Sequence, residues 1–236
     1  IWLPLTNVFG GPVFLIYPPL IYYVLAAILI ITGSVILSLK IFSFIGLLAS
    51  GISMYLYSKR ILGTKGGILS SVAYIVLPFH LYDFYSRGSY VGFFAYVWSP
   101  LILLAMDLVM SGKKYSVGLL ALTYGLLVLT HPVSALMFSV VFLAYGIYIS
   151  KGRIIHLVKL FSGFILGLGL SGIYLLPLIM ERNLTRFDLF TKGKFNFMEN
   201  FLFSGTDNFG CSVILLFTIA AFIPGILRWR KDLKIF

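Results

Sequence analysis

Carboxylates are scarce in this chain: Asp and Glu together number seven in 236 residues, and none precedes Asp83. Cysteine is scarcer still. Cys211 stands alone, which excludes an internal disulfide and a thiolate metal cluster and suits a small packed residue beside an apolar run. Charged residues make up 11% of the chain, whereas a soluble domain carries about a quarter. No His-Glu-x-x-His, nucleophile elbow, Cys pair or nucleotide fingerprint occurs, so spacing assigns no metal ligands and no phosphate loop. Nor does any internal repeat, Gly/Ser linker or low-complexity tract divide the chain.

What is abundant is apolar: 60% of residues are hydrophobic and the mean hydropathy is +1.04. Long runs cover Leu20 to Leu39, Ile41 to Ser58, Gly67 to Tyr82, Val91 to Met110, Val117 to Thr130, Val133 to Ser150, Leu160 to Ile179 and Cys211 to Leu227. Such runs match the ~30 Å of hydrocarbon that a helix crosses at ~1.5 Å per residue. Strands are excluded, since an isolated strand leaves its backbone polar groups unpaired in lipid. The expected fold is an all-α polytopic transmembrane bundle with about seven spans plus one juxtamembrane or re-entrant helix. It forms a single transmembrane domain over 1–236: an external loop with a juxtamembrane helix (1–40), a helical core (41–180), an external loop (181–210), and a last span with a basic end (211–236). The start at Ile1, without Met or a charged leader, reads as a piece of a longer protein.

The net charge of +11 does not point to nucleic acid, because Lys and Arg occupy short gaps between spans, where they act as orientation signals. Alternate threading puts Lys59, Arg60, Lys65, Lys113, Lys114, Lys151, Arg153, Lys159, Arg228, Arg230, Lys231 and Lys234 on the cytoplasmic side. The other side receives Arg87 and the mixed-sign loop beginning at Glu181 and Arg182. Keeping the N-terminus outside requires that Leu20 to Leu39 lie at the interface or re-enter; a full crossing would put 1–19 in the cytoplasm.

Candidate functional residues collect at the outer ends of the spans. His80, Asp83 and Arg87 fall at i, i+3 and i+7, on one helix face, with Asp83 and Arg87 spaced as a favourable i,i+4 ion pair. Charges at membrane depth usually face a cavity or a functional path. The plainer alternative is a helix-end salt bridge with an interfacial His. His131 precedes Pro132, which breaks the helix. The hairpin from Lys114 to Lys151 spans roughly 54 Å of helix, short of two full crossings, so its apex should be recessed. There His131 could bind a phosphate or carry a proton, or simply bond to freed backbone carbonyls. Tyr90 directly precedes the next apolar run, and Glu181 with Arg182 ends another on the same side. Asp107 should be a counter-charge for Lys113 and Lys114. Gly163, Gly167, Gly169 and Gly172, with Ser162 and Ser171, form a small-residue face suited to close helix packing.

In order along the chain, Trp2-Leu3-Pro4, Gly10-Gly11-Pro12-Val13-Phe14 and Tyr17-Pro18-Pro19-Leu20-Ile21-Tyr22-Tyr23 resemble the first external loop of C-type (GT-C) glycosyltransferases. Adding Tyr57-Ser58-Lys59-Arg60, Leu77-Pro78-Phe79-His80-Leu81-Tyr82-Asp83 through Arg87-Gly88, Leu129-Thr130-His131 and Tyr174-Leu175-Leu176-Pro177, the chain looks most like bacterial and archaeal membrane proteins named as 6-pyruvoyl-tetrahydropterin-synthase-related. No residue here points to pterin chemistry. The resemblance implies a GT-C-like enzyme of a prokaryotic cytoplasmic membrane, with its site facing outward, that moves a sugar from a polyprenyl-phosphate donor to an acceptor. It implies Asp83, Arg87 and His131 as catalytic residues, and His80, Arg87, Tyr90, Glu181 and Arg182 as substrate contacts. The cofactor is unknown, a divalent cation being one option, and the partners are membrane lipid and the lipid-linked sugar. Two departures stand out: the superfamily's catalytic carboxylate belongs upstream of Trp2, and Gly92 stands where relatives carry an acid. A non-catalytic membrane subunit is the main alternative, and a lipid or solute transporter a further one.

Overall fold

A computed structural model describes residues 17–181. The chain divides into two compact units, Ile1–Met180 and Glu181–Phe236, and every described helix belongs to the first. The motifs from Trp2 to Phe14, the loop from Arg182 to Gly210, the run from Cys211 to Leu227 and the basic end lie outside the described residues.

Among the described residues the regular structure is wholly helical: α1 Leu20–Thr32, α2 Val35–Ile75, α3 Pro78–Tyr85, α4 Tyr90–Met110, α5 Ser116–Thr130, α6 Pro132–Ser150, α7 Ile154–Leu170 and α8 Gly172–Met180. Three stretches are long and apolar enough to cross a membrane: Val35–Tyr85, Tyr90–Met110 and Pro132–Ser150. A fourth is added if α7 and α8, bent by 71° at their junction, count as one. Large apolar side chains such as Leu136, Val140 and Ile173 are exposed on the outer faces of these helices, as a lipid solvent allows.

The expected run from Leu20 to Leu39 is two helices. Gly33 ends α1, and the Ser34 hydroxyl starts α2 by accepting from the Leu37 N–H. At 13 residues α1 is ~20 Å long, too short to cross ~30 Å of hydrocarbon.

The 41 residues of α2 do not form one rod. The Ser71 hydroxyl donates to the Gly51 carbonyl at 2.7 Å, across 20 residues that would separate them by ~30 Å in a straight helix. The chain reverses at Gly63, whose φ of 70° and ψ of −177° lie in a region essentially closed to other residues. The two arms then lie close: a Cβ on Gly67 would sit 3.1 Å from the Lys59 Cα. The returning arm stops at Ile75 because Pro78 has no N–H to give and Leu77 is driven to an extended conformation (ψ 130°). The expected span from Gly67 to Tyr82 is thus split between α2 and α3.

Helix α4 is the centre of the unit. Ala95, Ile102, Ala105, Met106 and Val109 form a core with Leu120, Tyr124 and Leu127 of α5, Phe142 of α6, and Leu160 and Phe164 of α7. Phe94 and Val97 form a second core with Ile21 of α1 and Phe42 of α2. Helices α5 and α7 approach most closely where small residues meet. A Cβ on Gly167 would fall 2.9 Å from the Ala121 carbonyl, and one on Gly125 would fall 3.0 Å from the Gly167 carbonyl. Gly163 packs on Leu120, whereas Gly169 faces open space, so only part of the expected small-residue face is used. The run from Leu160 to Ile179 breaks at Ser171, whose hydroxyl donates back to the Gly167 and Leu168 carbonyls.

One end of the unit gathers the Gly63 turn, the α4–α5 loop and the α6–α7 turn. Arg60 Nε meets Asp107 Oδ2 at 2.6 Å and Nη2 donates to Ser111 at 3.1 Å. Asp107 therefore answers Arg60 rather than Lys113 and Lys114, because the α2 reversal delivers Arg60 to it. Nearby, the Tyr57 hydroxyl donates to that of Tyr145 at 3.1 Å. The α3–α4 loop and the α5–α6 break lie at the opposite end of α4.

Candidate functional site

Pro78 opens α3 and sets His80 and Asp83 on its short length. The helix stops at Tyr85, so Arg87 does not extend the predicted helical stripe; it sits in the turn beyond the Ser86 cap, its N–H donating to the Tyr82 carbonyl at 3.0 Å. The i,i+4 pair forms nevertheless, with Arg87 Nη1 to Asp83 Oδ1 at 2.8 Å. The second carboxylate oxygen accepts from the Tyr96 hydroxyl at 3.2 Å. The Asp83 side chain is 5% exposed and that of Arg87 54%, so the acid is held inside while the guanidinium reaches out. Arg87 carries five N–H donors in a planar fork, and Nη2 and Nε remain free of partners among the described residues.

Tyr96 owes its position to a defect in its own helix. Pro100 has no N–H to offer the Tyr96 carbonyl one turn back, and the Tyr74 hydroxyl takes that carbonyl instead, at 2.9 Å. This bond ties α2 to α4 directly behind the Tyr96–Asp83 contact. His80 closes the same wall. It is 1% exposed, its ring 4.5 Å from that of Tyr96 and 5.0 Å from that of Phe93, with Nδ1 donating to the Tyr74 carbonyl at 3.3 Å. His80 is a buried support of Asp83's surroundings and does not share the open face with Arg87. Its Nε2 has no hydrogen-bond partner among the described residues.

His131 lies at the α5–α6 break and caps α6. Its Nδ1 accepts from the Ser134 N–H at 3.1 Å and meets the Ser134 hydroxyl at 2.6 Å. It thus accepts from backbone, where the plainer expectation had it bonded to freed carbonyls. An Nδ1 that accepts a backbone N–H leaves the ring proton of the neutral imidazole on Nε2. The break is anchored to α4 by Trp98 Nε1, which donates to the buried Thr130 hydroxyl at 2.8 Å. The charges of both Asp83 and Arg87 act on the His131 ring through space, although His131's own hydrogen bonds go to Ser134. Asp83, Arg87 and His131 all stand at the same end of α4.

Of the remaining candidates, only Tyr90 lies in the same unit as this cluster. The Tyr90 ring packs edge-on against Phe42 and Phe84. Glu181 is exposed at the last described position, and Arg182 lies outside the described residues. A Cβ on Gly92 would sit 3.5 Å from Asp83 Oδ2 and 2.8 Å from the Ser89 Oγ that caps α4. A larger residue there would face the Asp83 carboxylate. Asp83 is a poor seat for a divalent cation, since both its oxygens are already bonded and a hard cation takes six or more oxygens. No group of three His, Cys, Asp or Glu that could hold a metal occurs among the described residues.

Sequence reasoning missed Tyr74, Tyr96, Trp98, Thr130 and Ser134. One signal was present: Pro100 within an apolar run marks a free carbonyl at position 96, though not which residue would satisfy it.

No curated protein and no solved structure matches the chain. The model of one family, the 6-pyruvoyl-tetrahydropterin synthase related domain, described as a membrane protein, matches residues 14–227. That match takes in every described helix, and its membrane description agrees with the apolar spans above. The chain therefore belongs to the 6-pyruvoyl-tetrahydropterin synthase related family of integral membrane proteins.

Proposed function

We propose that this protein is a membrane glycosyltransferase that moves a sugar from a polyprenyl-phosphate donor to an acceptor at the outer face of a prokaryotic cytoplasmic membrane, on a GT-C-like bundle of about seven spans. The observation that carries the proposal is the Arg87 guanidinium. It is fixed at one nitrogen by a buried carboxylate, has no partner at two others among the described residues, and stands at the same end of α4 as His131. A planar cation held this way can grip a departing lipid phosphate through paired charge-assisted bonds. His131 would add an Nε2–H donor to the same phosphate. The acceptor's proton would pass to a general base, while Asp83 orients Arg87.

The test is transfer from a labelled polyprenyl-phosphate sugar by the full-length protein in liposomes. Arg87→Ala should lower the rate by roughly 10²-fold or more, the usual cost of removing a preorganised charge stabiliser. Arg87→Lys should recover only part of it, because an ammonium lacks the fork. His131→Asn should keep the α6 cap, since Asn caps well, yet lose transfer. A wild-type rate in Arg87→Ala would end the proposal.

One observation favours a second reading, a non-catalytic membrane subunit: both Asp83 oxygens are already bonded within the protein. On that reading the same variants would change thermal stability, and the wild type would show no transfer with any lipid-linked sugar.

A further inference from the structure

A cavity of about 630 Å³ opens between α6 and α7, within the range of ligand sites, roughly 300–1,000 Å³. It lies toward the end of the unit that carries Arg60 and Asp107, and it shares no residue with the Asp83 site. Its walls are apolar: Phe142, Leu143 and Ile147 on one side, Leu157, Val158 and Phe161 on the other. Gly146 also lines it, where a Cβ would stand 3.1 Å from Leu160 of the same lining. The hydroxyl of Ser162, the polar side chain on the lining, is turned back onto the Lys159 carbonyl at 2.9 Å. The rim is open, with Leu143, Ile147, Val158 and Phe161 all exposed.

Cations cluster beside the groove. One turn past Ile147 the chain enters the α6–α7 turn through Lys151, Gly152 and Arg153, all exposed, and Lys159 is exposed one helical turn before Ser162. No Asp or Glu occurs from Val133 through Met180. Both ion pairs found among the described residues lie elsewhere, and Asp107 is taken by Arg60. Lys151 also holds a left-handed backbone (φ 49°, ψ 40°), at a helix-end position where Gly is the usual residue. A cation thus stands where the backbone alone would favour glycine.

We propose that this groove is a binding site for one anionic phospholipid, with an acyl chain between α6 and α7 and the phosphate headgroup on Lys151, Arg153 and Lys159. The charge fixes the class of occupant. Any bilayer lipid could wet an apolar groove, but Lys151, Arg153 and Lys159, which no carboxylate pairs among the described residues, select a negative headgroup, as basic pockets between spans do. Lipid binding in this groove does not depend on glycosyl transfer at the Asp83 site.

Native mass spectrometry of the purified full chain in detergent, titrated with phosphatidylglycerol or with phosphatidylcholine of the same acyl chains, tests it. Wild type should retain one phosphatidylglycerol in preference to phosphatidylcholine. Lys151→Gly, Arg153→Gln and Lys159→Gln combined should weaken that retention by about 10²-fold, from several-fold per charge, while relieving the backbone at 151. Leu143→Trp, on the exposed rim, should block the groove and release the lipid with every cation in place. Equal retention of both lipids by wild type, or unchanged retention in either variant, would overturn the site. So would competition by glycerol phosphate as strong as by the whole lipid, because the groove would then contribute nothing. A photo-crosslinker at position 143 should capture lipid; capture of a second copy of the chain would replace the lipid with a protein occupant and refute the proposal.

Discussion

Asp83 illustrates how a single side chain can be legible in identity and illegible in role. Its rarity and its i,i+4 spacing to Arg87 marked it in the sequence, and the ion pair is there. The Tyr96 hydroxyl on its other oxygen was not legible, because Tyr96 is one of 15 tyrosines and only the packing of α3 on α4 selects it. The arrangement makes a quantitative prediction. Arg87→Ala leaves a buried carboxylate without its counter-charge and should cost about 3–5 kcal/mol of stability. Asp83→Asn frees a half-exposed Arg and should cost only about 1 kcal/mol. The double variant should resemble Asp83→Asn, so thermal unfolding in detergent should give a strongly non-additive cycle. Additive costs would mean that the pair contributes little beyond its surroundings.

At the scale of elements, helix breaks decide what the apolar runs become. Pro132 announced its break, whereas Pro78 lay inside the expected span Gly67 to Tyr82; both breaks fall where backbone chemistry requires. The Gly33 and Ser171 breaks were hidden inside runs whose hydropathy is uniform, since hydropathy records solvent preference and not chain direction. The reversal at Gly63 was foreseen as a gap bounded by Lys59 and Lys65, but its tightness, from one residue, was not. Because Gly63 occupies a backbone region essentially reserved for glycine, Gly63→Ala should destabilise by on the order of 1–3 kcal/mol. It should also loosen the Ser71–Gly51 bond that joins the two arms. Thermal melts report the first effect, and faster amide exchange in the returning arm reports the second. An unchanged melting temperature would show that the turn adapts at no cost.

For the whole molecule, the arrangement about α4 carries a sidedness that can be measured. Arg60, Asp107 and the α6–α7 turn gather near one end, and Asp83, Arg87 and His131 near the other. With Cys211→Ser as background, Lys65→Cys and Lys113→Cys should react with an impermeant maleimide from one side of sealed vesicles, and Ser86→Cys from the opposite side. Labelling of all three from the same side would contradict a membrane-crossing α4. The sequence by itself determined that this protein is helical and lives in a membrane, because its continuous apolar runs have the length of a helical crossing, and a helix satisfies its own backbone in lipid. It also determined which charges are rare enough to matter. Only tertiary structure decided that Arg60 answers Asp107, that Tyr96 answers Asp83, that His80 is walled in, and that an apolar groove opens between α6 and α7. Those contacts join residues far apart in sequence, and they exist only where helices of nearly uniform hydropathy are packed in one specific order.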